Sequence, residues 1–339
     1  MRLWERRWCH VFALVLLLVL RTALADGSEE PFPVAKSAIL RGAGTIYFVE
    51  GEQTIPKGVE VSVQRGVRIV GRGEGAVLRV EGTLVMQGTL GSEIEVKDLD
   101  LVLAPKFQQV RTGYCDFLSS NILTAEGGSS AGKLQIENAL VTGGSRIELT
   151  FHEGVIRLLG LSALLPTKIV CVPPEGGSES QVEVWASNCF QSTAAAGITG
   201  GLSVTGAAKL SIRTCRIAGE LASFRDCRAI TFDSNRIDSK RFELLAGRPE
   251  ELGSLKITKC DIYSRSVVLR AAKGDSSVIA RILFDRCYWG GLLDPRKILE
   301  EVVTDGDDES DNATRARIGK IQKRPVGLAG LPERMGGPR

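Results

Sequence analysis

The chain has 339 residues and a formal net charge of +3, but this charge is not evenly distributed. Residues 1–25 contain four arginines and one glutamate, so the rest of the chain balances 39 basic against 39 acidic residues. A neutral chain of this kind gives no reason to expect a nucleic-acid partner or attraction to an anionic membrane.

The N-terminus has the pattern of a secretory signal peptide. Three arginines lie within residues 1–10, residues 11–20 are all apolar, and Ala23-Leu24-Ala25 has the small residues of a cleavage site. We expect cleavage after Ala25 and export to the periplasm or the extracellular space. The apolar run is about half as long as a membrane span requires, so no span is expected in the mature chain.

Glycine provides the next constraint on fold class. All 38 glycines lie after residue 25, and many separate short runs rich in Val, Ile and Leu. Between residues 44 and 96, such runs alternate with turns that contain Gly or Pro. This pattern predicts an all-β protein.

One eight-residue phrase recurs in the C-terminal half. Bulky apolar residues occupy its first, third and eighth positions, and Cys or Asn occupies its sixth. The first three positions alternate between inward and outward, as in a strand with one buried face. The copies are Leu210–Ile217, Ile230–Ile237, Leu255–Ile262 and Ile282–Trp289. Their spacing predicts a solenoid with one strand phrase in each coil.

The same phrase can be followed towards the N-terminus. Further copies begin at Val110, Leu134, Ile156 and Val182, which extends the repeat to eight copies. Ile94 begins a similar run only 16 residues before Val110, too close for a full coil. We therefore predict that Ile94 lies in a strand on another face.

Residues 44–96 resemble the opening of bacterial secreted right-handed parallel β-helix proteins of the pectate-lyase-like superfamily. The shared frame fixes several Gly and Pro positions together, namely Gly44-Thr45-Ile46-Tyr47, Thr54-Ile55-Pro56-Lys57-Gly58-Val59, Gly66-Val67, Val80-Glu81-Gly82-Thr83-Leu84 and Gly88-Thr89-Leu90. The resemblance implies a single-stranded right-handed parallel β-helix. It implies no particular reaction, because the superfamily contains lyases, glycosidases, epimerases, adhesins and inert scaffolds.

The segment after Trp289 resembles the closing segment of such proteins. Matching residues are Trp289-Gly290, Asp294-Pro295, the acidic run Asp305-Gly306-Asp307-Asp308 and the strand Gly319-Lys320-Ile321. Residues 294–303 also have a helical period, with Asp294 as N-cap. The predicted organisation is a signal peptide (1–25), a leader segment (26–43), the β-helix (44–290), a C-terminal cap with a short helix (291–328) and a flexible tail (329–339).

Seven cysteines follow the signal peptide, and most occupy the inward position of the phrase. Cysteine packs there as a small hydrophobe, so we favour a stacked ladder of reduced thiols. Export leaves disulfides open as the alternative.

Two other motifs have simple structural interpretations. Residues 127–134 match G-x-S-x-G and most of a P-loop, but a strand phrase follows where both motifs need a helix, so a flexible turn between coils is favoured. His152, the one histidine after the signal peptide, is expected at the surface near a strand end.

The outward positions of the phrases hold the candidate catalytic residues. Lyases of this fold use acidic residues to hold calcium and an Arg or Lys to remove the proton α to a uronate carboxylate. Stacked coils could place three aspartates on one face beside basic residues, and the candidates are Asp233, Asp261, Asp285, Lys259 and Arg286. A solvated ladder of alternating charges explains the same residues and is favoured.

The acidic run near the C-terminus gives the candidate metal ligands. Asp305, Asp307 and Asp308 could attract Ca²⁺ through their oxygens, although the run departs from an EF-hand loop at its sixth and twelfth positions. A solvated turn is favoured, and no other cofactor is expected.

The sequence therefore favours an exported, non-catalytic β-helix protein that binds a glycan or another cell-envelope component through a sheet face. A divergent polysaccharide lyase or glycoside hydrolase is the alternative, and a purely structural spacer is the third possibility. The oligomeric state cannot be inferred from the sequence.

Overall fold

The computed structural model describes residues 28–42, 44–126, 128–172, 182–187, 197–246, 255–271, 282–292, 294–303 and 316–325. The predicted signal peptide, the acidic run with Asp305, Asp307 and Asp308, and the predicted tail lie outside these residues. None of the described helices is long and apolar enough to cross a membrane.

Almost every described element is a β-strand. The strands are β1 (Glu29–Pro31), β2 (Ala38–Leu40), β3 (Ile46–Ile55), β4 (Glu60–Gln64), β5 (Arg68–Val80), β6 (Thr83–Gln87), β7 (Ile94–Lys97), β8 (Asp100–Leu103), β9 (Lys106–Gly113), β10 (Cys115–Leu118), β11 (Ile122–Thr124), β12 (Ser130–Glu137), β13 (Leu140–Thr142), β14 (Ile147–Leu159), β15 (Ser162–Ala163), β16 (Thr167–Cys171), β17 (Val182–Ser187), β18 (Leu202–Thr205), β19 (Lys209–Arg213), β20 (Arg216–Arg225), β21 (Ala229–Asp233), β22 (Arg236–Ala246), β23 (Leu255–Thr258), β24 (Asp261–Ile262), β25 (Ser266–Ala271), β26 (Ile282–Asp285), β27 (Leu299–Val303) and β28 (Arg317–Ile318).

The strands stack in parallel register into three sheets, so the predicted all-β solenoid of parallel strands is confirmed. Sheet A contains β2, β4, β6, β9, β12, the end of β14, β17, β19, β21, β23, β26 and β28. Sheet B contains β1, the starts of β3 and β5, β7, β10, β13, β15, the starts of β20 and β22, and β24. Sheet C contains the ends of β3 and β5, β8, β11, the start of β14, β16, β18, the ends of β20 and β22, β25 and β27. Each coil of the solenoid passes from sheet A to sheet B and then to sheet C.

The repeated phrase forms the corner between sheets A and B. Its first four residues lie in sheet A, its fifth residue turns the chain, and its sixth to eighth residues enter sheet B. The fifth residue has a left-handed backbone, with φ between 47° and 57°, at Tyr114, Asn138, Thr214, Ser234, Lys259 and Arg286. This turn points the sixth side chain back into the core, where Cys115, Ala139, Cys215, Asn235, Cys260 and Cys287 are all buried.

The apolar positions of the phrase form continuous columns inside the solenoid. First-position residues such as Leu134, Ile156 and Leu210 are buried. Ile94 pairs with Cys115 in sheet B, whereas Val110 lies in sheet A, so the prediction that Ile94 belongs to another face is confirmed.

The register of one phrase differs from the prediction. Val184, not Val182, pairs with Ile156 on one side and with Leu210 on the other. Ala186 is the third-position residue and is buried. A shift of two residues leaves the inward and outward alternation unchanged, so the sequence pattern alone could not distinguish the two registers.

The sheets extend past residues 44 and 290. Within the predicted leader, Glu29–Pro31 pairs with β3 and Ala38–Leu40 pairs with β4. In the predicted cap, Asp294 accepts a hydrogen bond from the backbone N–H of Arg296, as expected of an N-cap, but the helix is a single 3-10 turn, Pro295–Lys297. The predicted helix is wrong beyond that turn, because Leu299–Val303 is a strand whose backbone pairs with β25.

The six described cysteines are buried and none of them is in a disulfide. Cys115, Cys215, Cys260 and Cys287 occupy the sixth position of the phrase, whereas Cys171 and Cys227 lie near the corner between sheets C and A; Cys189 lies outside the described residues. Asn235 takes the place of a cysteine in this column. Its Oδ1 accepts from the Cys215 N–H (2.9 Å), and its Nδ2 donates to the Ile212 carbonyl (2.9 Å) and to Cys260 Sγ (3.8 Å).

We predict that Asn235→Ala destabilises the protein by roughly 2–4 kcal/mol, because it removes the buried hydrogen bonds that this side chain makes to the Cys215 N–H and the Ile212 carbonyl. The matched variant Cys260→Ala, one coil away in the same column, should cost only roughly 1 kcal/mol, because it removes a weakly bonding thiol. Urea unfolding of both variants measures the difference. Equal costs would contradict the bridging role of Asn235.

The buried thiols should make stability depend on pH. Burial raises the pKa of Cys115 to about 12 and that of Cys227 to about 12. An unfolded thiol has a pKa of about 8.5, so the stabilisation is complete below that pH and is lost as pH rises towards 12. For each of these thiols, the free energy of unfolding should be roughly 2 kcal/mol lower at about pH 10 than below about pH 8.5.

The check is urea unfolding of the wild type and of Cys115→Ala at about pH 8 and pH 10. The variant should lose roughly 2 kcal/mol less stability between the two pH values. A small cavity in the variant would lower the free energy of unfolding equally at both pH values, so it does not affect this difference. Identical losses would show that Cys115 does not resist ionisation.

Candidate functional site

Two of the predicted aspartates lie at the ends of sheet A strands. Asp233 and Asp285 each pair with Thr258 on the strand between them, so their backbones are about 10 Å apart, or two strand spacings. Thr258 Oγ1 donates to Asp233 Oδ1 (3.0 Å). Asp285 accepts from Arg286 Nε (3.2 Å) and from the Lys320 N–H (3.3 Å).

Asp261 does not join them. It is the seventh residue of its phrase, after the left-handed corner, and therefore lies in sheet B, where it is buried. The expectation of three carboxylates on one face is therefore wrong. Lys259 and Arg286 are the left-handed corner residues themselves, and both are exposed between the two sheets.

The surroundings of Asp261 form a compact network on sheet B. Asp261 pairs in register with Arg236 on one side and forms a bridge with Tyr288 on the other. The guanidinium of Arg236 stacks over the Tyr263 ring (4.6 Å to the centroid), and Tyr263 meets Tyr288 edge-on (5.7 Å). Asp238 pairs with Arg216 (2.9 Å) and with Arg236 (3.0 Å).

Of the two tyrosines in this network, Tyr263 is unsuited to act as a base near neutral pH. Burial raises the pKa of Tyr263, although Arg236 acts in the opposite direction. The Asp238 carboxylate is already shared between Arg216 and Arg236 in ion pairs. It therefore has the character of a structural cluster, and the described residues contain no group of three His, Cys, Asp or Glu suited to hold a metal ion.

A different site lies on the outer face of sheet A. A depression of about 300 Å³ extends over three successive coils and is lined by Arg157, Leu159, Ala186, Ser187, Ser211 and Arg213. The register explains this grouping. Arg157 and Ser211 occupy the second position of their phrases, and Leu159, Ser187 and Arg213 occupy the fourth.

The depression is basic. Arg157 and Arg213 lie two strand spacings apart, about 10 Å, and two residues apart along the strands. Arg213 is exposed, and no ion pair joins it to any other described side chain. Asp233 is its register partner, but Asp233 instead accepts from Thr258. The lining residues include no carboxylate.

Arg213 occupies the outward fourth position of its phrase, but sequence reasoning missed its neighbours. The incorrect register placed Trp185 at the fourth position of its phrase, where the structure places Ser187. With the correct register, the second and fourth positions of three consecutive phrases would have shown two arginines around two serines.

Comparisons with known proteins found no related protein. A scan against family models, a search of curated proteins and a search of solved structures each gave no match. The fold is therefore established by strand pairing alone, and the site must be interpreted from its own chemistry.

Proposed function

We propose that the protein is an exported binding protein that holds an anionic glycan on the outer face of sheet A. The observation that carries this proposal is the basic depression with Arg157 and Arg213 at its two ends. A guanidinium group binds a carboxylate or sulfate through two parallel hydrogen bonds. The serine hydroxyls between the arginines can donate to and accept from sugar hydroxyls.

The neutral mature sequence and the predicted signal peptide favour an extracellular or periplasmic polymer over a nucleic acid. The composition of the lining favours binding over glycosidic cleavage, because glycosidases generally use two carboxyl groups that flank the scissile bond. Asp233 and Asp285 do not line the depression: they lie on later strands of the same sheet and are hydrogen-bonded to their own neighbours.

The test is calorimetric titration of the mature protein with an oligogalacturonate, a sulfated oligosaccharide and a neutral oligosaccharide. We expect binding of at least one anionic ligand, weakened by salt, and no binding of the neutral one. Arg213→Ala should reduce the affinity roughly tenfold or more, since a hydrogen bond to a charged group contributes about 1.5–3 kcal/mol. The affinity of Arg213→Lys should lie between those of the wild type and Arg213→Ala, because lysine keeps the positive charge but lacks the planar guanidinium group.

Arg65→Ala is the matched control, because Arg65 is also exposed but lies on an early coil. Its affinity should equal that of the wild type. If Arg213→Ala binds as tightly as the wild type, the depression is not the site. Unsaturated products absorbing in the near ultraviolet would instead support a lyase, and an absence of binding to every polymer would favour a spacer.

A further inference from the structure

Ser129 and His152 meet at the corner between sheets C and A. They lie on successive coils, and Ser129 Oγ is 2.9 Å from His152 Nδ1. Both side chains are half-buried. The sequence predicted a flexible turn and a surface histidine here, whereas the structure brings the two residues into direct contact.

The serine in contact with histidine is not the one that the G-x-S-x-G pattern marks. Ser130 occupies the motif position, is buried, and donates its hydroxyl to the Leu103 carbonyl (3.2 Å). Its neighbour Ser129 precedes β12 and points the other way, towards His152. Ser130 is therefore structural, and Ser129 is the serine beside a base.

A β-bulge places the histidine. Ser130 pairs with Phe151 and Ala131 pairs with Glu153, so His152 is the extra residue between two paired positions. Bulges re-aim side chains in this way and are frequent next to active sites. Two stacked glycines allow the close backbone contact that follows, because a Cβ on Gly154 would lie 2.0 Å from the Gly132 carbonyl oxygen.

The contact has the geometry of a nucleophile and its general base. When the imidazole proton is on Nε2, Nδ1 accepts the Ser129 hydroxyl proton. No other described residue hydrogen-bonds to the imidazole. Without a third group to orient and polarise it, the pair suits an ester, whose alcohol is an easier leaving group than an amine.

The neighbouring coil provides a small apolar surface. The Val172 N–H donates to the Phe151 carbonyl (2.7 Å), which places Val172 beside His152 in the stack. Val172 is 40% exposed. A short acyl group could rest on this surface.

We propose that Ser129 and His152 form a catalytic pair that removes a short acyl group from an ester. Ser129 Oγ bonds to the carbonyl carbon while its proton passes to His152 Nδ1. The C–O bond to the alcohol breaks, and the alcohol leaves with that proton. Water, deprotonated by His152, then hydrolyses the acyl-serine, releases the carboxylic acid and restores the hydroxyl of Ser129. This activity is independent of glycan binding at the depression.

The direct test uses a fluorophosphonate probe on the mature protein, with the modified serine identified by peptide mass spectrometry. We expect modification at Ser129. His152→Gln should slow the labelling about a hundredfold, the low end of what a general base contributes. Ser119→Ala, which changes an exposed serine bonded to the Gly143 carbonyl, should label as the wild type does.

Hydrolysis of p-nitrophenyl acetate gives the second measurement, which Ser129→Ala should abolish and Ser119→Ala should leave unchanged. Circular dichroism melting of each variant verifies folding, and the wild-type peptide map does not depend on any variant folding. The proposal is overturned if the probe leaves Ser129 unmodified in the wild type, or if Ser129→Ala hydrolyses the ester at the wild-type rate.

Discussion

The left-handed residue at the fifth position of the phrases, wherever the structure describes that position, is the constraint on which the solenoid depends. A parallel stack can bury its columns only if every coil bends at the same place, because a displaced corner would break the register with both neighbours. Residues as different as Tyr114, Asn138 and Arg286 adopt this backbone conformation. A left-handed backbone costs most residues roughly 1–2 kcal/mol, so packing and strand pairing must offset that cost in each coil.

The same corner determines which outward residues share a face. The fourth and seventh residues of a phrase are only three apart, but the corner lies between them, so they lie on different sheets. Asp285 therefore remains on sheet A, whereas Asp261 lies on sheet B between Arg236 and Tyr288. Charged residues close together in the sequence are separated, and the basic depression forms from residues on three coils, Arg157 to Arg213.

The sequence predicted most of the fold because the same inward positions recur within every phrase and are mostly apolar. The sequence could not predict the register of a strand, because the alternation of inward and outward residues does not determine it. A shift of two residues at Val182 keeps every side chain on the same face, so only pairing with Ile156 and Leu210 distinguishes the registers. Residues 299–303 fit a helical period equally well, but the open edge of β25 supplies backbone partners for a strand.

The candidate sites were harder to predict, because each depends on contacts between coils. No sequence pattern places Ser129 beside His152, since the contact requires the extra bulged residue and the close approach of Gly132 and Gly154. Strand β14 connects this corner to the depression, because it contains His152 near its middle and Arg157 five residues later, about 16 Å along an extended strand. The two candidate sites therefore share one strand, but the depression runs across three coils on the face of sheet A, whereas Ser129 and His152 lie at the corner, so each site can act without the other.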